Sequence, residues 1–267
     1  MEQIREQFSA LVAAGDGSLA GNLDEAALCI AASVDPDVSV EEWLTNLDTL
    51  AAQLNASTPA GLAIELFGGA SHDPDRHFSG NRNDYYDAEN SLLHRVLQRR
   101  TGIPISLAVV LIEVGRRRGI ELQGVGMPGH FLVRSPEGYI DAFNRGVLRD
   151  QAGCLRLFQD LAGVKAPLPA GALDATPPAQ IIKRMLFNLS AIGSTQQHRR
   201  ALRAVRSLLA TFPDATHRDH VHHAYAAAEI GQYGEAARAG QIAMETLPDQ
   251  LKAKLGAQIE AWHARLN

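Results

Sequence analysis

The chain is 267 residues long, 46% apolar and 21% charged, with 25 Lys and Arg against 30 Asp and Glu and a formal net charge of -5. These are the proportions of a soluble globular protein, and the acidic balance leaves no overall positive field to hold a polyanion, so no nucleic-acid partner is expected despite the small cluster Arg116, Arg117 and Arg118. Two widely separated cysteines, Cys29 and Cys154, suit buried thiols in a reducing compartment, and the longest uncharged apolar run, residues 103–112, is too short to span a bilayer; the expectation is a cytoplasmic protein with no membrane partner.

Residues 1–70 repeat their apolar positions at helical spacing. Start signals stand at Ser39, with Glu42 three residues on, and at Thr58, followed by Pro59. Residues 71–87 are polar, and Asp87 is the expected N-cap of a helix covering Ser91, Leu92, Leu93, Val96 and Leu97. A second helix is expected from near Pro104 through Val114, stopping at Gly119; its middle is apolar on all sides, as a central, buried helix requires.

Beyond Gly119 the chain turns to short β-branched and aromatic runs, residues 121–125, 130–134 and 139–143, with 135–138 as a turn. If Ser135 and Gly138 close a tight hairpin, Arg134 faces Tyr139 and Leu132 faces Asp141. Alternation then puts His130 and Asp141 on one face as diagonal neighbours, and a slip of one residue would separate them. Pro167, Pro169, Gly171, Pro177 and Pro178 mark a linker, placed at residues 166–178. Past it, residues 201–214 align with 236–249 at a period of 35, both ending in an apolar-Pro-Asp turn. That pattern resembles the second helix of tetratricopeptide repeats.

Ser106, His130 and Asp141 are the residues whose chemistry draws attention. In acyl transfer a nucleophile attacks a carbonyl, a histidine takes its proton and an acid fixes the imidazole. Ser106 falls in the first turn of a helix, where free amides and the positive dipole end favour developing negative charge. A serine hydroxyl there still needs a base in contact with it, whereas a thiol would not. The bland reading of Ser106 is a side chain satisfying an orphan amide, and of His130 a strand-end histidine bonded to a carbonyl. Asp141, inside an apolar strand, needs a partner, and His130 is the nearest candidate.

Asp84-Tyr85-Tyr86-Asp87-Ala88-Glu89-Asn90-Ser91-Leu92-Leu93, Gly102-Ile103-Pro104-Ile105-Ser106-Leu107, Pro128-Gly129-His130-Phe131-Leu132 and Ile140-Asp141-Ala142-Phe143 together resemble the SirB-type branch of the transglutaminase-like superfamily. The resemblance covers about residues 20–265. It implies an α+β, mostly helical protein: a helical region (1–70) packing on a papain- or transglutaminase-like core with a small antiparallel sheet (71–165), a linker (166–178) and all-α tetratricopeptide-like repeats (179–267). By position it puts Ser106 at the superfamily's cysteine, His130 at its histidine and Asp141 at its aspartate. Ala142 stands where a proline is expected, and neither Cys29 nor Cys154 lies where it could replace the missing thiol.

Asn81 and Asn90, from the polar cluster Asn81, Asn83, Asp84, Asp87 and Asn90, are candidate cleft-lining residues, with turn and capping roles as the plainer reading. His217, His220, His222 and His223 read as a solvated repeat helix rather than a metal site, and Gly124-x-Gly126-x-x-Gly129 precedes a strand where a dinucleotide fingerprint must open a helix, so neither a metal nor a cofactor is expected. Two functions follow. One is a non-thiol pseudoenzyme, regulatory or partner-binding, that presents its repeats to a protein or peptide. The other is a serine-dependent amidase, protease or acyltransferase with Ser106 as nucleophile, His130 as base and Asp141 as orienter.

Overall fold

A helix apolar all round can satisfy itself only by being surrounded. In the computed structural model, which describes residues 2–15, 19, 21–195 and 199–266, the helix Pro104–Arg117 is buried at every residue from Pro104 to Gly115. The chain reaches it through α1 (Glu2–Ala13), α2 (Leu23–Val34), α3 (Val40–Ala52), α4 (Pro59–Phe67) and then a loop and a further helix. Ser39 Oγ accepts from Glu42 N at 3.3 Å and Thr58 Oγ1 from Gly61 N at 3.1 Å, so both start signals operate as helix caps. Asp87 behaves differently from expectation. It caps a single 3-10 turn, Ala88–Ser91; Leu92 is extended, and α5 begins only at Leu93, running to Arg99. Pro104–Arg117 is α6, packed against α2, α3, α4 and α5. Each fully buried Leu of α6, such as Leu107 and Leu111, contributes about 1.5–3 kcal/mol.

Two strands of two residues each, β1 (Ser79–Gly80) and β2 (Thr101–Gly102), pair in parallel ahead of α6. After α6 comes a four-stranded antiparallel meander of β3 (Gln123–Val125), β4 (Leu132–Ser135), β5 (Gly138–Asp141) and β6 (Val147–Arg149). The β4–β5 register pairs Arg134 with Tyr139 and Ser135 with Gly138, as a two-residue turn demands. Gly138 has φ 132° and a Cβ there would meet Arg149 O at 2.7 Å, so the turn admits no side chain at that corner. β4 is buried on both faces at its start, through Leu132 and Val133, and exposed at Arg134. Val133 joins the main core with Ile140, while Leu132 packs with Val125, Met127 and Cys154 beneath α7 (Gln151–Ala162).

The remaining chain is helical: α8 (Pro178–Thr195), α9 (Arg199–Leu209), α10 (His217–Ala228), α11 (Tyr233–Thr246) and α12 (Asp249–His263). Apolar packing crosses residues 166–178, because Ile181, Ile182, Met185, Leu186, Val205 and Phe212 share the cluster that holds α2 and α6. Phe212 meets Phe8 of α1 edge-on at 5.7 Å. Helices α10 to α12 form a second cluster rich in small residues, Ala224, Ala227, Ala236, Ala239 and Ala243 against Leu255, Ile259 and Trp262. There a Cβ on Gly240 would come within 2.9 Å of Ile259. In both halves of the 35-residue repeat a buried apolar residue, Phe212 or Leu247, stands beyond the helix end directly before Pro-Asp. Among the described residues no helix is long and apolar enough to cross a membrane.

Candidate functional site

Gly129, at φ 74°, turns the chain between Pro128 and His130, and His130 N closes the turn on Met127 O at 3.0 Å. The histidine therefore sits two residues ahead of β4 rather than within it. Arg184, from α8, donates from Nη2 to His130 O at 2.8 Å and stacks over the Phe131 ring at 5.4 Å. Asp141 ends β5, fully buried. Its Oδ1 accepts from His130 Nε2 at 2.8 Å and from Asn144 N at 3.2 Å; its Oδ2 accepts from Asn144 Nδ2 at 2.6 Å, and from Arg149 Nε at 3.0 Å and Nη2 at 2.9 Å. Burial would raise this carboxyl's pKa, but the hydrogen bonds from His130 and Asn144 and the charge of Arg149 outweigh it and hold the group below its ordinary value. An ionised carboxylate only accepts, so His130 Nε2 is the donor in this contact, and Nδ1 has no hydrogen-bond partner among the described residues.

The imidazole looks into a small pocket of about 40 Å³, lined by Tyr85, Ile103, Pro104, Ile105, Gly129, Phe131, Arg184 and Asn188. That is room for a water or a few atoms of a larger molecule. Aromatic rings stand beside it: Phe143 lies edge-on to His130 at 6.0 Å and to Tyr85 at 6.1 Å, with Arg82 over its face at 5.2 Å. Phe143 in turn rests on Gly80, where a Cβ would meet its Cδ2 at 2.4 Å.

Ser106 is fully buried and is not part of this lining. Its hydroxyl donates to Asn90 O at 2.6 Å and accepts from Ile103 N at 3.1 Å, hooking the third helical residue back onto the N-cap backbone. A Cβ on Gly102 would lie 2.6 Å from Oγ, so that glycine is what lets the hydroxyl fold inward. The residues of α6 that line the pocket with His130 are Pro104 and Ile105, neither of them nucleophilic.

Asn81 and Asn90 are committed to each other and to their own loop. Asn81 Nδ2 donates to Asn90 Oδ1 at 3.1 Å, Asp84 N donates to Asn81 Oδ1 at 2.9 Å, and Asn90 Nδ2 donates to Asp84 O at 2.8 Å. They act on the pocket indirectly, by fixing Tyr85 at its edge and Asn90 O against Ser106. The thiols offer no substitute nucleophile: burial pushes Cys29 up to about 12, with Glu25 adding to it, and Cys154 up to about 11. Both are free and buried. Arg184 and Asn188 come from beyond the proline-rich segment, where sequence offers no signal that they reach the histidine; Asn144 and Arg149, a few residues past Asp141, were within reach of a reading that extended the sheet by one strand.

A buried helix start beside an antiparallel meander, with a histidine in the turn before β4 bonded to an aspartate at the end of β5, defines an α+β core with helices before and after it. The chain belongs to the transglutaminase-like superfamily, which residues 41–187, more than half of it, match. It is similar to a UPF0162 protein of Xylella fastidiosa, 41% identical over 51% of this chain and 52% of that protein, and to one of Pseudomonas aeruginosa, 36% identical over 64% and 65%. F-box only protein 21 of Mus musculus is 33% identical over 51% of this chain and 23% of its own length. The chain thus spans about half the length of the first of these curated relatives. No solved structure matches.

Proposed function

We propose that this chain is a SirB-type, non-thiol member of its superfamily that acts by binding, a pseudoenzyme in the cytoplasm whose carboxy-terminal helices serve as tetratricopeptide-like repeats for a protein or peptide partner. In this reading residues 1–70 buttress a core of 71–165, and residues 166–178 lead to a repeat region, 179–267. One observation carries it: the Ser106 hydroxyl is fully buried and spent on Asn90 O and Ile103 N, while the residues of the same helix start that line the His130 pocket are Pro104 and Ile105. Leaving that position would strand a buried amide and a buried carbonyl, a cost of about 1–3 kcal/mol for each.

The serine-dependent acyl-transfer reading keeps one supporting observation, the oriented His130–Asp141 pair. It needs Ser106 to exchange its present partners for His130. A serine-directed fluorophosphonate applied to the native chain and to Ser106→Ala separates the two. Silence from both is the outcome expected of a binding module; labelling of the native chain alone would establish Ser106 as a nucleophile and end the pseudoenzyme reading.

A further inference from the structure

A second, roomier cavity shares no lining residue with the His130 pocket. It measures about 500 Å³ and lies between α1, the end of α2, α9, α10 and the start of α11. That volume falls in the range of sites for small organic ligands. One part of its wall is apolar, with Ala204 and Leu208 from α9, Ala226, Ala227 and Ile230 from α10 and the turn after it, and Leu266. The rest is charged.

The charges on that wall do not cancel. Glu235 receives Arg5, Arg238 and His223 Nε2, the last at 2.9 Å; burial alone would raise its carboxyl, but these donors bring it down to about 2. Glu235 is therefore ionised and satisfied. Glu2 is the one other acid, against the three guanidinium groups of Arg5, Arg203 and Arg238. Arg203 has no hydrogen-bond or ion-pair partner among the described residues, and Ser207 stands one turn further along the same face of α9, also on the cavity wall. His223, 6% exposed and on the wall, keeps Nδ1 buried without a partner among the described residues. An uncommitted guanidinium with a hydroxyl one turn away, beside an apolar wall, is what an amphipathic anion would complete.

We propose that this cavity binds a small molecule carrying a carboxylate on an apolar chain, with the carboxylate on Arg203 and Ser207 and the chain against Ala204, Leu208, Ala227 and Ile230. The site goes beyond the partner-binding reading and stands whether or not the His130 pocket does chemistry.

Calorimetric titration of the full chain with octanoate and with octanol tests it, alongside a short peptide ending in leucine as free acid and as amide. Octanoate is expected to bind, with octanol about tenfold weaker, since a charge-assisted hydrogen bond is worth roughly one such factor. Arg203→Gln should lower octanoate affinity about tenfold and leave octanol unchanged, Arg203→Lys should recover part of the loss, and Ser207→Trp, filling the space, should abolish both. The thermal midpoint of each variant, unchanged from the native chain, shows that folding is not what was lost. Octanoate that fails to bind, binds no better than octanol, or is indifferent to Arg203→Gln overturns the proposal. The peptide acid binding where octanoate does not overturns the small-molecule source in favour of a chain terminus.

Discussion

His130 Nε2 lies 2.8 Å from Asp141 Oδ1, and the same carboxylate also accepts from the backbone N–H and the side-chain amide nitrogen of Asn144 and from the guanidinium of Arg149. A fully buried anion with this many donors is a structural keystone as well as an orienting group, because the donors are arranged around a charge that the fold has already desolvated. Its replacement tests both roles. Asp141→Asn keeps the volume but faces Arg149 with an amide, so a loss of about 3 kcal/mol of stability is expected, read as a lower midpoint in urea with an unchanged slope. The charge also has a pH signature. A carboxyl held below its ordinary value in the folded state binds fewer protons there than when unfolded, so the stability it supplies is present above the unfolded value near 3.8 and is lost as pH falls through the folded one. The native chain should therefore lose stability steeply on acidification below about pH 4, and Asp141→Asn should lose less over the same interval.

Glu113 carries the opposite sign. It is fully buried in α6 with Oε1 unpartnered among the described residues, while Oε2 takes Arg116 Nε at 2.8 Å and Arg117 Nη1 at 3.2 Å; Arg117 also holds Asp24 at 2.6 Å. Burial, reinforced by the nearby Asp24 charge, pushes Glu113 up to about 7 against the pull of the two arginines. The folded chain then holds more protons than the unfolded one between the ordinary carboxyl value near 4.5 and about 7, so stability declines as pH rises across that window. Glu113→Gln should flatten the decline, making the variant more stable than the native chain relative to pH 5 by a few kcal/mol at pH 8. Urea midpoints at pH 5 and pH 8 decide it; parallel changes in the two proteins would assign the slope to other groups.

Ser106→Ala removes the hydroxyl that joins Ile103 N to Asn90 O. Two buried backbone groups lose their partner at once, and a cost of about 1–3 kcal/mol for each is expected, larger than for an exposed N-cap. Ser106→Thr, which keeps the hydroxyl but adds a methyl beside Gly102, should also destabilise, by crowding. A serine whose replacement by alanine left the unfolding midpoint unmoved would not be performing this capping role.

The register of the hairpin was legible because a two-residue turn between Ser135 and Gly138 fixes which residues face each other, and with it the approach of His130 to Asp141. The buried character of α6 was equally legible, since no solvent face could be drawn on it. What a linear reading could not supply was direction at the helix start. Ser106 and Pro104 are two residues apart, hence well separated around a helix, and only the position of Asn90 O, delivered by a loop folded on its own asparagines, decides that the hydroxyl turns inward. The helix expected to start after Asp87 was displaced to Leu93 for the same reason, because Asn90 is held by the loop instead of continuing a helix. Arg184 and the packing of Ile181 and Met185 on the main core depend on how a proline-rich segment returns the chain, which periodicity does not encode.

That geometry makes a sharp claim about where a nucleophile would have to stand. Pro104 lines the same pocket as His130 and occupies the first helical position, where its missing N–H costs nothing and a cysteine would sit at the positive end of α6. Pro104→Cys should fold with a loss of about 1 kcal/mol, since only the fixed φ of proline is given up. Its thiol should react with iodoacetamide at pH 7 about tenfold faster than a free cysteine, and adding His130→Ala should remove that advantage, because the imidazole and the helix end together favour the thiolate. Ser106→Cys should react far more slowly, its sulfur enclosed against Asn90 O. Rates in the reverse order would place the hydroxyl of Ser106, not the ring of Pro104, across from the histidine, and would restore the serine as the candidate nucleophile.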